Sequence, residues 1–176
     1  MIAASGKTKW ILLFFLLLAV LILLSIKPLR QNSPLFNLVF PPADLYSVLD
    51  ASSVDLTAEG GTTALNFANR YPGQHTIGIL VERPTPTARS YRMDFALDIA
   101  VRRDHEVLLA ASVNEPYMLF WGGEGNSGIA MLKYTVPGQL PLGVPLRAEV
   151  TVVRPDPEFP VRYGSTTLYV KKMSDE

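Results

Sequence analysis

The stretch "SYRMDFALDIAVRR", Ser90–Arg103, decides the fold class. Tyr91, Met93, Phe95, Leu97, Ile99 and Val101 alternate with Arg92, Asp94, Ala96, Asp98, Ala100 and Arg102. Successive side chains of a strand point to opposite faces, so a period of two predicts a strand with one buried and one solvated face. Asp104-His105 then reads as a turn, and "EVLLAASV", Glu106–Val113, as the returning partner strand.

The same reading extends in both directions. Upstream, "TTALNFANRYPGQHTIGILVER", Thr62–Arg83, divides into two strands at Tyr71-Pro72-Gly73. Pro followed by Gly is the order a type II turn requires. Downstream, "YMLFW", "GIAMLKYTV", "PLRAEVTVVRP" and "TTLYVKK" are separated by Gly and Pro. About eight to nine strands at regular spacing, with no helical pattern among them, predict an antiparallel β-sandwich. Strand number and spacing point to an immunoglobulin-like arrangement, although the Cys–Trp–Cys pattern of that class is absent.

The N-terminal end is of another kind. "WILLFFLLLAVLILLSI", Trp10–Ile26, has no charge, no Gly and no Pro. A cleaved signal has a shorter apolar region, roughly 7–15 residues, and small residues at its exit. Here the exit reads Ser25-Ile26-Lys27-Pro28. A retained helix needs about 20 apolar residues, and flanking lysines can snorkel to lengthen its reach. We therefore expect a single-pass helix over 10–27 after a short cytoplasmic segment, 1–9. Its lipid-facing residues would include Trp10, Ile11, Leu12, Phe14, Phe15, Leu18, Leu21, Leu24 and Ile26. Lys and Arg are nearly balanced on the two sides, so orientation rests on the short tail and the large domain behind the helix. That favours the tail inside and the domain on the periplasmic side.

Residues 28–45 read as a Pro-rich tether, with Pro28, Pro34, Pro41 and Pro42. Leu35, Phe36, Leu38, Val39 and Phe40 are too apolar for a solvated linker. They predict either an edge strand or a contact patch for a partner or lipid, with Leu35, Phe36 and Phe40 as its anchors. The sandwich then occupies 46–176.

Composition narrows the functional classes. The 176 residues carry equal numbers of basic and acidic side chains, 16 of each, but no acid precedes Asp44. The downstream domain is therefore mildly acidic, which disfavours nucleic acid as a partner. There is no Cys, which removes disulfides, thiolate nucleophiles and Cys-ligated metals. The two histidines, His75 and His105, both adjoin expected turns and read as solvated or capping residues.

Three stretches invite a chemical reading. "GGEGNSGI", Gly122–Ile129, resembles a phosphate loop or a serine elbow, but both need a helix to follow and a strand is expected instead. Tyr117, Phe120 and Trp121 just before it are either core or an aromatic contact patch, with Phe120 and Trp121 as its contact residues. Asp94 and Asp98 share a strand face at a spacing of roughly 13 Å, too far for a glycosidase pair and suited to cross-strand pairing with Arg92 and Arg102.

No residue set supplies a reaction centre, cofactor site or metal site. The expectation is a non-catalytic accessory or scaffolding subunit of a larger membrane complex, of a respiratory, photosynthetic or transport kind. It would be held in the lipid bilayer by one helix and contact integral membrane subunits through its sandwich. The alternative is an anchored binding module or chaperone for a peptide, glycan or metal.

Overall fold

A computed structural model describes residues 6–25, 41–83, 93–121 and 127–173. The chain divides into two compact units, Met1–Pro42 and Ala43–Glu176.

In the first unit the described element is helix α1, Gly6–Ser25, 20 residues long. Trp10, Ile11, Phe14, Phe15, Leu18 and Ile22 are exposed on one side, and Leu13, Leu16, Leu17 and Val20 on the other, so exposed apolar side chains run around the helix between Trp10 and Ile22. Gly6, Lys7, Thr8 and Lys9 fill its first turn, and its apolar part, Trp10–Leu24, rises roughly 22 Å. Among the described residues no helix is long and apolar enough to cross a membrane. Ile26 and the tether residues Leu35, Phe36 and Phe40 lie outside the described residues.

The second unit is a sandwich of nine described strands and one short helix. The strands are β1 (Val48–Ser53), β2 (Thr62–Ala68), β3 (Gly73–Val81), β4 (Ala96–Arg103) and β5 (Glu106–Val113), then β6 (Met118–Trp121), β7 (Ser127–Val136), β8 (Pro145–Arg154) and β9 (Thr166–Lys172). One sheet runs β1-β9-β3-β7-β6 and the other β2-β8-β4-β5, and every pairing is antiparallel.

This order corrects the immunoglobulin-like expectation. In an immunoglobulin sandwich the first two strands are neighbours in one sheet. Here β1 and β2 lie in opposite sheets. The first strand pairs with the last, the second with the second-last, and β3 with β7, while β4 and β5 form the hairpin at the tip. That is a long double hairpin rolled into two sheets, the jelly-roll arrangement, with β6 added at one edge.

The tip hairpin follows the sequence reading closely. Asp104 and His105 join β4 to β5, and Asp104 takes φ 54°. Asp tolerates this left-handed conformation because its short polar side chain can bond locally. Leu97, Ile99 and Val101 are buried from β4, as the alternation required. The strand is shorter than its pattern, since residues 93–95 precede it without ladder pairing. Gly73 takes φ 110° after Pro72, the positive φ that the expected turn needed.

A second correction is helix α2, Glu158–Tyr163, where no helix was expected. Asp156 organises it: Oδ1 accepts from the Glu158 N–H at 3.1 Å, and Oδ2 accepts from Arg162 Nη2 at 2.7 Å and from the Asp94 N–H at 3.2 Å. The helix puts Phe159 and Tyr163 into the core, with the Phe159 ring edge-on to Phe95 at 5.0 Å. The buried Asp156 carboxylate is thus paired and hydrogen-bonded, as burial of a charge requires.

Candidate functional site

The outer face of the four-stranded sheet carries charged, amide and hydroxyl side chains in close order. Its register places side chains in three rows across the strands. The first row is Asn66, Arg147 and Arg102 on β2, β8 and β4. The second is Ala64, Glu149, Ala100 and Ala110, now including β5. The third is Thr62, Thr151, Asp98 and Ser112. Strands lie about 4.8 Å apart, so each row is a line of close neighbours.

The alanines of the middle row make a low floor, and the flanking rows stand above it. A cleft of about 580 Å³ opens beside the first row, lined by Asn66, Arg70, Arg102, Asp104 and Arg147 with Leu49 and Pro145. A second depression of about 440 Å³ covers Ala100 and Ala110 of the floor with Asp98, Ser112 and Thr151 of the third row, and Arg102 borders both.

The charges are arranged unevenly. Arg102 and Arg147 face each other directly across β4 and β8, a like-charge placement that destabilises a sheet unless compensated. Glu149 supplies the compensation. Its Oε1 accepts from Arg147 Nε at 3.1 Å, and its Oε2 lies 3.3 Å from Arg102 Nε. The Arg102 contact lacks hydrogen-bond geometry, and that buried Nε–H is left without an acceptor. One carboxylate therefore serves two guanidiniums.

Arg70 is engaged elsewhere, with Asp44 Oδ2 at 3.1 Å. Asp44 also accepts from the Tyr71 hydroxyl at 2.6 Å. The Tyr71 bond, aided by Arg70, holds the Asp44 carboxyl below its ordinary range. In the third row Asp98 accepts from the Ser112 hydroxyl, and Thr62 and Thr151 share a hydroxyl contact at 3.1 Å. The face offers fixed donors and acceptors, the equipment of recognition by hydrogen bonds.

No protein-family model matches the chain. No curated protein matches it either. A solved structure from Sulfurospirillum deleyianum is similar over 72% of this chain and 97% of its own, with 7% identity and a TM-score of 0.44. A likeness at that level carries no argument about function.

The residues singled out in the sequence fall in several places. Phe120 and Trp121 lie on edge strand β6, opposite Gly128 and Ser127 of β7. Ser127 thus begins a strand rather than a helix, and the residues 122–126 before it lie outside the described residues. Asp94 uses its backbone in the α2 junction, while Asp98 belongs to the outer face of the four-stranded sheet.

His105 is exposed at the hairpin tip as expected. His75 is not solvated: it is 1% exposed, stacks on Tyr134 with ring centroids 5.5 Å apart, and has Nδ1 3.2 Å from the Gly73 carbonyl. The cause is its place on β3, where the alternation that follows Gly73 turns its ring inward. Among the described residues no group of three His, Cys, Asp or Glu side chains is placed to hold a metal ion.

Sequence reasoning missed the Arg102–Glu149–Arg147 cluster. The signal was partly present, because "PLRAEVTVV" alternates and puts Arg147, Glu149 and Thr151 on one face. What was lacking was the pairing of β8 with β4.

Proposed function

We propose that this protein is a membrane-anchored accessory subunit, held by its N-terminal apolar segment and contacting other membrane subunits through its extracytoplasmic sandwich. The observation that carries the reading is α1 itself. Its large apolar side chains are exposed around its circumference, which water does not favour and lipid or neighbouring helices do. The apolar run continues in the sequence to Ile26, and Lys7, Lys9 and Lys27 flank it at snorkelling distance. The sandwich supplies a rigid body with strand edges at β5 and β6, and β6 carries Phe120 and Trp121.

The test is purification from native membranes in a gentle detergent, with intact-mass analysis of every co-eluting chain. Stoichiometric partners beside a full-length chain are expected. A lone, soluble chain beginning near residues 27–33 would replace the anchor with a discarded leader.

A further inference from the structure

We propose that the cleft at the Asn66–Arg147–Arg102 row binds a phosphate group, carried either by a soluble phosphate compound or by a phospholipid head. The inference concerns the sandwich alone and stands apart from the subunit reading above.

Three observations carry it. First, register places an amide and two guanidiniums on adjacent strands, with the guanidiniums close enough to share one carboxylate. Second, Glu149 accepts from the Nε of Arg147 and lies 3.3 Å from the Nε of Arg102 without a hydrogen bond, so neither contact uses the Nη fork of its guanidinium. Third, these groups line one shallow, open cleft of about 580 Å³.

The geometry favours a tetrahedral oxyanion. A carboxylate has two oxygens and is satisfied by one fork. A phosphate presents three or more acceptor oxygens in different directions and can engage two forks and an amide together. Glu149 alone leaves one positive charge of the arginine pair unmatched, and Asp104 offsets it across the cleft, so recognition rests on the directed N–H donors more than on net charge. Asp104, also in the cleft wall, makes no ion pair among the described residues and opposes an incoming anion. Binding should therefore be modest and should tighten when either acid is neutralised.

The experiment is calorimetric titration of the full-length chain in neutral detergent with inorganic phosphate, at ionic strength held constant with chloride. A second arm uses nanodiscs of phosphatidylcholine with and without phosphatidylglycerol. Saturable phosphate binding is expected, weakened about tenfold or more in Arg102→Gln and Arg147→Gln, the scale of a lost charge-assisted bond. Glu149→Gln and Asp104→Asn should bind several-fold more tightly, an effect that misfolding would not produce. With the chain inserted in both kinds of disc, an arginine-dependent loss of inorganic-phosphate binding seen only when phosphatidylglycerol is present would assign the phosphate to a lipid head. Absence of saturable binding in both arms overturns the proposal. So does binding that is unchanged in both arginine variants, or unimproved in both acid variants.

Discussion

Gly78 sits opposite Tyr169 in the β3–β9 register, and the Tyr169 ring occupies the space that a β-carbon at position 78 would fill. The Ile129 carbonyl of β7 closes the same space from the other side. Gly78 is therefore retained for close approach rather than for its φ. One side chain can turn away from an added methyl, but ladder backbone cannot.

Gly78→Ala should accordingly destabilise the sandwich by about 1–3 kcal/mol, the range of overpacking in a filled core. Urea denaturation followed by tryptophan fluorescence measures it. A midpoint equal to wild type would show that β7 can yield, and the packing argument would fail.

Asn69 ties two strands to a loop. Its Oδ1 accepts from the buried Tyr134 hydroxyl at 3.0 Å, its Nδ2 donates to the Pro141 carbonyl at 3.0 Å, and its own carbonyl accepts from the Gly143 N–H at 2.8 Å. Burial holds the Tyr134 phenol well above its ordinary value, so it remains a donor at any working pH. Tyr134→Phe removes one bond and should cost about 1–2 kcal/mol, while Asn69→Ala strands several groups and should cost about 2–3 kcal/mol. The double variant should cost less than the sum, because both changes remove the same bond. Strict additivity would mean that the bond contributes nothing.

Strand positions were legible in the sequence because period two is a local property. Leu97, Ile99 and Val101 could be assigned to the core from their spacing alone. Sheet order was not legible, because β1 meets β9 across more than a hundred residues and alternation says nothing of partners. The immunoglobulin-like reading failed at that step. Helix α2 was hidden for a different reason. Pro155, Pro157 and Pro160 surround Glu158 and Phe159, so the stretch reads as loop, and the buried Asp156 and Phe159 hold a turn that propensity would not. The arginine cluster combined both problems, since its members are visible one strand at a time and meet only through register.

Acid should loosen the sandwich where carboxylates join segments distant in sequence. Glu82 Oε2 accepts from the Ser165 N–H at 3.1 Å and the Ser165 hydroxyl at 3.0 Å, linking the end of β3 to the start of β9. These bonds lower the Glu82 pKa below its ordinary 4.5, and the Tyr71 hydroxyl and Arg70 act likewise on Asp44, below 3.8. A folded value below the unfolded one stabilises the native state above the unfolded pKa, and that contribution is lost as pH falls through the folded one. The melting temperature should therefore hold above about pH 5 and decline below about pH 4. Glu82→Gln should start lower at pH 7 and show a shallower decline. A variant with the parent's full acid dependence would remove Glu82 from this account.

The anchor can be tested without knowing any partner. Among the described residues the buried apolar side chains run from Leu45 to Met173, all within the second unit. Deleting residues 1–26 should therefore leave domain melting within about 0.5 kcal/mol of the parent, as expected for changes away from the core. It should also move the chain from the carbonate-resistant membrane pellet to the supernatant. A gentler variant, Leu17→Arg with Leu18→Arg, keeps the length and places two charges mid-run, each costing about 2.5–3.5 kcal/mol at a helix centre in lipid. It should shift the distribution in the same direction. A parent chain that washes off with carbonate would mean that the apolar run docks on protein instead of crossing lipid. Loss of melting cooperativity on deletion would mean that the segment belongs to the fold. Release with melting unchanged leaves the bilayer, with helices inside it, as the surroundings that α1 requires.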